Sequence, residues 1–152
     1  MKNLQLVPGD ILVEKSGGGE NTPVGRTVVF KENYTALFAN FMDRLRVKEF
    51  VDPYFIQYLF VAMYQNNITK MYIKQTTGIQ NLDLSTLLSE EYFYVPTKKV
   101  QSSIVEYLDE MCQKIDRIRN EKQVGIETMK SYKKSLIYQY VTGKKRVKEA
   151  NE

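Results

Sequence analysis

Residues 101–143 read QSSIVEYLDEMCQKIDRIRNEKQVGIETMKSYKKSLIYQYVTG. Their apolar positions decide the architecture. Ile104, Leu108, Met111, Ile115 and Ile118 follow one another at spacings of 4, 3, 4 and 3. That is the heptad pattern of a helix with one apolar seam. Carried onward, the same register falls on Lys122 and Gly125, then on Met129, Tyr132 and Leu136. The spacing predicts a seam over 104–136, interrupted near its middle. A helix over that span is about 50 Å long. The preceding part of the chain is too small to cover it, so the stripe asks for a partner helix, from the same fold or from a second chain. Core packing in a helical hairpin is the plainer alternative, and the length favours an extended coiled-coil arm. Thr142 and Gly143 end the helix, glycine being natural just past a helix terminus. The chain thus divides into a first part, 1–98, a long spacer or dimerisation helix, 99–143, and a frayed basic tail, 144–152.

The first part is rich in Tyr, Phe, Val and Gly. Residues 10–14 read as a short strand after a Pro8-Gly9 turn. Residues 16–23, SGGGENTP, are a loop by composition. Residues 25–30 read as a second strand, and 35–47 hold one or two more. Over 53–64 the apolar residues Phe55, Leu59, Phe60 and Met63 share one broad helical face. Asp52 is its expected N-cap and Pro53 its first helical residue. Residues 84–88 are ambiguous. Residues 91–96, EYFYVP, read as a strand ending at a proline. The fold class is α+β: a small, mixed, β-rich domain followed by a long C-terminal coiled-coil helix.

Composition excludes several functions. With 152 residues, the chain is one domain or one domain with an appended element. A net charge of +4 fits an anionic partner. Cys112 is the only cysteine, so no internal disulfide exists and a reducing compartment is expected. No run approaches a membrane span, and residues 1–8 lack the apolar core of a signal peptide. The reading is a soluble, cytoplasmic protein. Histidine is absent, which removes the commonest general base and zinc ligand. No metal, cofactor or catalytic residue is expected.

Four motifs need weighing. A phosphate-binding P-loop would follow its glycines with Gly-Lys-Ser/Thr, whereas Gly17, Gly18 and Gly19 run into Glu-Asn-Thr-Pro. The stretch is either a flexible surface loop or one that follows a nucleic-acid backbone, with Lys15 and Arg26 flanking it. Asp52-Pro53-Tyr54-Phe55 lacks the second proline of the amino-methyltransferase Asp-Pro-Pro-Tyr loop. Asp10, Glu14 and Lys15 have the residue types of a metal-dependent nuclease. Adjacent Glu14 and Lys15 point to opposite sides of a strand, however, which spoils that chemistry. Seven basic residues over 130–148 suit either a solvated helix end or phosphate contact.

Together, LVPGDILVEKSGGG (6–19), GR (25–26), FMDRLR (41–46), TTGIQNLDLSTLLSEEYFYVP (76–96), SIVEYLDEMCQKIDRI (103–118) and YKKSLIYQYVTGKKRV (132–147) resemble the specificity (S) subunit of type I restriction–modification systems. The similarity runs through nearly the whole chain in the family's order. It implies a target recognition domain followed by a long helix. In that family two such helices pack antiparallel and hold two recognition domains a fixed distance apart on a split DNA site. The S subunit has no catalysis of its own. It directs modification subunits, which methylate adenine with S-adenosylmethionine, and restriction subunits, which hydrolyse ATP and cut. Family recognition domains begin well before the segment matching PGDIL, so the resemblance implies part of one recognition domain plus one spacer helix.

The expected function is therefore recognition of double-stranded DNA within a type I assembly, without enzymatic activity. The expected partners are DNA, modification and restriction subunits, and a second copy or another S-type chain. DNA contacts are expected from Lys15, Ser16, Gly17, Gly18, Arg26, Lys74, Thr76, Thr77, Gln80 and Asn81. Thr76, Thr77, Gln80 and Asn81 are short donors and acceptors suited to phosphates and base edges, and Gly78 permits a tight bend. A structural turn satisfying its own backbone is the alternative for that segment. The helix partner is expected along Ile104, Leu108, Met111, Ile115, Ile118, Met129, Tyr132 and Leu136. A dimerisation or partner-binding module without productive DNA reading is the alternative function.

Overall fold

The computed structural model describes residues 4–75 and 78–147. The chain divides into two compact units, Met1–Tyr107 and Leu108–Glu152. In the first unit the elements run β1 (Gln5–Leu6), β2 (Ile11–Glu14), β3 (Ser16–Gly17), β4 (Thr27–Val29), β5 (Ala36–Leu37) and β6 (Met42–Leu45). Then come α1 (Pro53–Gln65), α2 (Ile68–Met71), β7 (Ile73–Gln75), β8 (Gln80–Leu82) and α3 (Leu84–Glu90). The helix α4 (Lys98–Val141) begins in this unit and supplies the second. The class is α+β, as expected.

The strands form three small antiparallel sheets: β1 with β5, β4–β2–β6, and β3–β8–β7. In β2 the buried residues Ile11 and Val13 alternate with half-buried Leu12 and Glu14, the period of a strand with one face on a core. Only Lys15 separates β2 from β3. The N–H groups of Lys15 and Ser16 both donate to the Phe41 carbonyl, at 2.8 and 3.0 Å. Two consecutive donors on one acceptor are the mark of a β-bulge. The Lys15 carbonyl accepts from Leu82 N–H at 2.8 Å. One extended run thus serves two sheets, changing partners at the bulge.

The glycine-rich stretch differs from its reading as a plain loop. Ser16 and Gly17 form β3. Gly19 and Thr22 then exchange two backbone hydrogen bonds, both 3.1 Å, across a tight turn. Gly18 has φ +63°, and a Cβ there would lie 2.9 Å from the Thr22 carbonyl and 3.0 Å from Gln80 Oε1. The turn therefore needs this glycine.

The α1 helix starts as predicted. Asp52 Oδ1 accepts from Tyr54 N–H at 2.8 Å, with Pro53 at the first position. The ambiguous stretch 84–88 lies in α3. Asp83 caps it by accepting from Thr86 N–H at 3.1 Å. Phe60 and Met63 of α1 and Leu84 and Leu87 of α3 close over Val13, Val24 and Leu82 to make the core.

No strand forms over 91–96, contrary to expectation. Phe93 packs against the core while Tyr92 and Tyr94 are exposed. That alternation produces a strand-like pattern, but among the described residues no strand pairs with the segment. Tyr72 Oη donates to Glu91 at 2.7 Å and ties down its start.

The opening turns of α4 pack into the first unit through Gln101 and Val105, both buried. Beyond Cys112 the helix lies open. From there to Val141 only Leu136 and Gln139 are half-exposed, and every other residue is exposed. Gly143, at φ +72°, follows the helix end as the sequence predicts. Among the described residues no helix is long and apolar enough to cross a membrane.

Candidate nucleic-acid interface

The β3–β8–β7 sheet brings three of the expected DNA contacts into one row. Ser16 lies opposite Asn81, and Asn81 lies opposite Lys74. Residues directly opposite share a face of the sheet. In β8, Gln80 and Leu82 are buried and Asn81 is exposed, so this row is on the outer face. Ser16 Oγ donates to Asn81 Oδ1 at 2.8 Å, and Asn81 is exposed. A serine hydroxyl, an asparagine amide and a lysine offer the donors and acceptors that phosphates and base edges take.

Gln80 points the other way. It is only 6% exposed. Its Oε1 accepts from Val24 N–H at 3.2 Å, and its Nε2 donates to the Gly19 carbonyl at 3.3 Å. Gln80 thus holds the glycine-rich turn from the protein side. Gly17, at φ +124°, lies opposite Gln80 in the sheet, and Gly18 follows at φ +63°. Thr76 and Thr77 lie outside the described residues.

The expected cations all carry acidic partners. Arg26 makes a two-pronged pair with Glu14, Nε to Oε2 at 2.9 Å and Nη2 to Oε1 at 3.0 Å. Lys15 Nζ lies 3.8 Å from Asp43 Oδ2. Lys74 Nζ lies 2.6 Å from Asp83 Oδ2. The Lys74 hydrogen bond, helped by Thr86, holds the Asp83 carboxyl down at about 2. Adjacent Glu14 and Lys15 go to different partners, as their strand geometry requires.

The residue types of a nuclease are present but otherwise engaged. Asp10 is fully buried and receives Arg46 Nε and Nη2, each at 2.7 Å, together with Val7 N–H at 2.9 Å. Glu14 is taken up by Arg26. Among the described residues no group of three or more potential ligands is placed to hold a metal ion.

The expected helix-partner residues lie along α4. Leu108, Met111 and Leu136 are half-buried. Ile104, Ile115, Ile118, Met129 and Tyr132 are exposed, Ile115 by 63% and Met129 by 72%. The long helix fits a coiled coil.

Sequence reasoning missed Gln101. Its Oε1 accepts from Asp52 N–H at 2.7 Å, and its Nε2 donates to the carbonyls of Phe50 at 3.2 Å and Pro96 at 2.8 Å. A polar residue one turn before Val105 gives no hydrophobic signal. Only a reading of 101 and 105 as a second buried face would have found it.

Residues 2–128 match the family described as the type I restriction modification DNA specificity domain. The match covers most of the chain, which therefore belongs to that family. Its role is DNA sequence specificity in a type I restriction–modification system. A search among curated proteins finds none that matches.

Proposed function

We propose that this chain reads one half of a bipartite DNA target and directs modification and restriction subunits to it, without catalysing a reaction itself. The domain at 1–98 reads DNA through Lys15, Ser16, Arg26, Lys74 and Asn81, with Gly17, Gly18 and Gln80 shaping that face. The helix at 99–143 pairs with a second copy or another S-type helix. The observation that carries this reading is the exposed heptad seam of α4 in a chain of the DNA specificity family. Two identical copies joined along it present two reading faces related by a two-fold, which requires a symmetric split target.

A second reading has its own support. Each of the three cations expected to contact DNA, Lys15, Arg26 and Lys74, is paired with a carboxylate. A charge-balanced face suits a module that pairs and binds partner subunits without productive DNA contact. Duplex binding by the chain, alone and with a modification subunit, separates the two readings. Salt-sensitive binding with a preference between sequences supports DNA reading. Assembly with the modification subunit and no preference supports the interaction module.

A further inference from the structure

The charge of the chain is unevenly placed. Residues 1–107 carry eleven basic and eleven acidic side chains, and residues 108–152 carry eleven and seven. The whole net charge of +4 belongs to the second unit. Residues 108–127 hold four basic and five acidic side chains, whereas 128–148 hold seven basic and no acidic ones. Lys130 meets Glu127 at 2.8 Å, and Lys144 lies over the Tyr138 ring at 4.5 Å. Among the described residues, Lys133, Lys134, Lys145 and Arg146 have no ion-pair partner.

We propose that residues 130–146, the end of α4 and the turn past it, form a phosphate-binding surface that supplies the sequence-independent part of DNA affinity. This rests on the reading that the chain binds DNA. Affinity for a duplex grows with the number of phosphates neutralised, because each contact releases counterions. At Lys15, Arg26 and Lys74 a cation must leave its carboxylate before it meets a phosphate, and the carboxylate then faces the same phosphate. Among the described residues no such competition exists along 130–146, apart from the exposed Lys130–Glu127 pair. The face on the first unit is left to specify sequence, and the basic stretch to hold the backbone.

Neither the helix dipole nor an acidic partner helix accounts for the stretch as well. The dipole favours cations only within the last turn. Lys130, Lys133 and Lys134 lie seven or more residues before Val141, and Lys144, Lys145 and Arg146 lie past it. An acidic partner helix would cover the apolar seam, and the seam stops at Leu136, short of those last three cations.

The test is binding of the full chain to a labelled duplex of mixed sequence over a salt series. The variants are Lys144→Gln/Lys145→Gln/Arg146→Gln and Lys133→Gln/Lys134→Gln. All five side chains are exposed, so the fold should be kept. The slope of log affinity against log salt should become shallower by about 2.7 in the first and about 1.8 in the second, roughly 0.9 per cation. Affinity should fall equally for all sequences. Unchanged slopes in both variants overturn the proposal. So does a variant that loses assembly with a second copy or a modification subunit while its slope stays the same, since the stretch then serves a protein. A wild-type chain with these slopes but no preference among sequences leaves the proposal standing and removes the reading face. Preference lost in Lys15→Ala/Arg26→Ala/Lys74→Ala, with unchanged slopes in the 130–146 variants, does the reverse. Failure of the wild-type chain to bind any duplex overturns both.

Discussion

Gln101 Oε1 accepts the backbone N–H of Asp52 at 2.7 Å, and Asp52 itself caps α1. One side chain of α4 thereby fixes the residue that starts another helix. Gln101 is fully buried, so its removal leaves the Asp52 N–H and the Phe50 and Pro96 carbonyls without partners. Gln101→Leu should cost about 3 kcal/mol, the scale of orphaning buried backbone groups. Urea unfolding should show a lower midpoint with an unchanged slope. A midpoint equal to that of the wild-type chain would mean that these bonds are replaced by water.

The α4 seam, the Asp52-Pro53 helix start and the Gly143 stop were legible because each rests on local spacing or capping chemistry. The α+β class followed from them together with the strands read at 10–14 and 25–30. The missing strand at 91–96 and the added one at Ser16–Gly17 were not legible, because pairing depends on which strands come near. The alternation of Tyr92, Phe93 and Tyr94 records burial, and the sheets place no neighbour beside it. Of the candidate site, the row from Ser16 through Asn81 to Lys74 joins residues far apart in sequence. The family resemblance and the residue types named its members, and only strand register brought them together. Gln80 and Asn81 look alike in sequence, yet a one-residue step in β8 sends one inward and the other outward. The acidic partners of Lys15, Arg26 and Lys74 were likewise hidden by tertiary placement.

Gly18 should tolerate no side chain. Its φ is +63°, and a Cβ would meet the Thr22 carbonyl at 2.9 Å, a backbone atom that cannot swing away. Gly18→Ala should destabilise by more than about 1 kcal/mol, since both strain and contact oppose it. Gly19→Ala is the control, because nothing lies within 4 Å of a Cβ there. Thermal unfolding of the two variants should separate them clearly, and equal midpoints would contradict the turn geometry.

Acid should weaken the first unit. Asp83 sits at about 2, against an ordinary 3.8, because of Lys74 and Thr86. Burial pushes the Asp10 carboxyl up, but the Arg46 hydrogen bonds, the Val7 N–H and the charges of Arg46 and Arg44 prevail and hold it below its ordinary value. A depressed carboxylate stabilises fully above its unfolded value and loses that contribution as pH falls through the folded one. The melting midpoint should stay level above about pH 5 and drop between about pH 4 and pH 2. Asp83→Asn should lower the midpoint at neutral pH and flatten the drop. An equally steep drop in that variant would assign it elsewhere.

Leu108→Asp with Ile115→Asp should abolish assembly, because a charge on the seam must stay in water. Sedimentation should show the wild-type chain associating with rising concentration and the variant remaining monomeric. Ile115 is exposed in the single chain, so Ile115→Asp alone should leave the unfolding of the first unit unchanged. A wild-type chain that stays monomeric at every concentration, also when mixed with a modification subunit, would contradict a partner along this seam.

The most direct test of the central claim is selection from a pool of random duplexes by the chain assembled with its modification subunit. Two short conserved half-sites in inverted orientation, separated by a fixed number of unspecified base pairs, are the predicted result. Lys15→Ala/Arg26→Ala/Lys74→Ala should lose that enrichment while the complex still forms. A pool that shows no enrichment, although the complex assembles and binds DNA, would contradict the claim that this domain reads sequence.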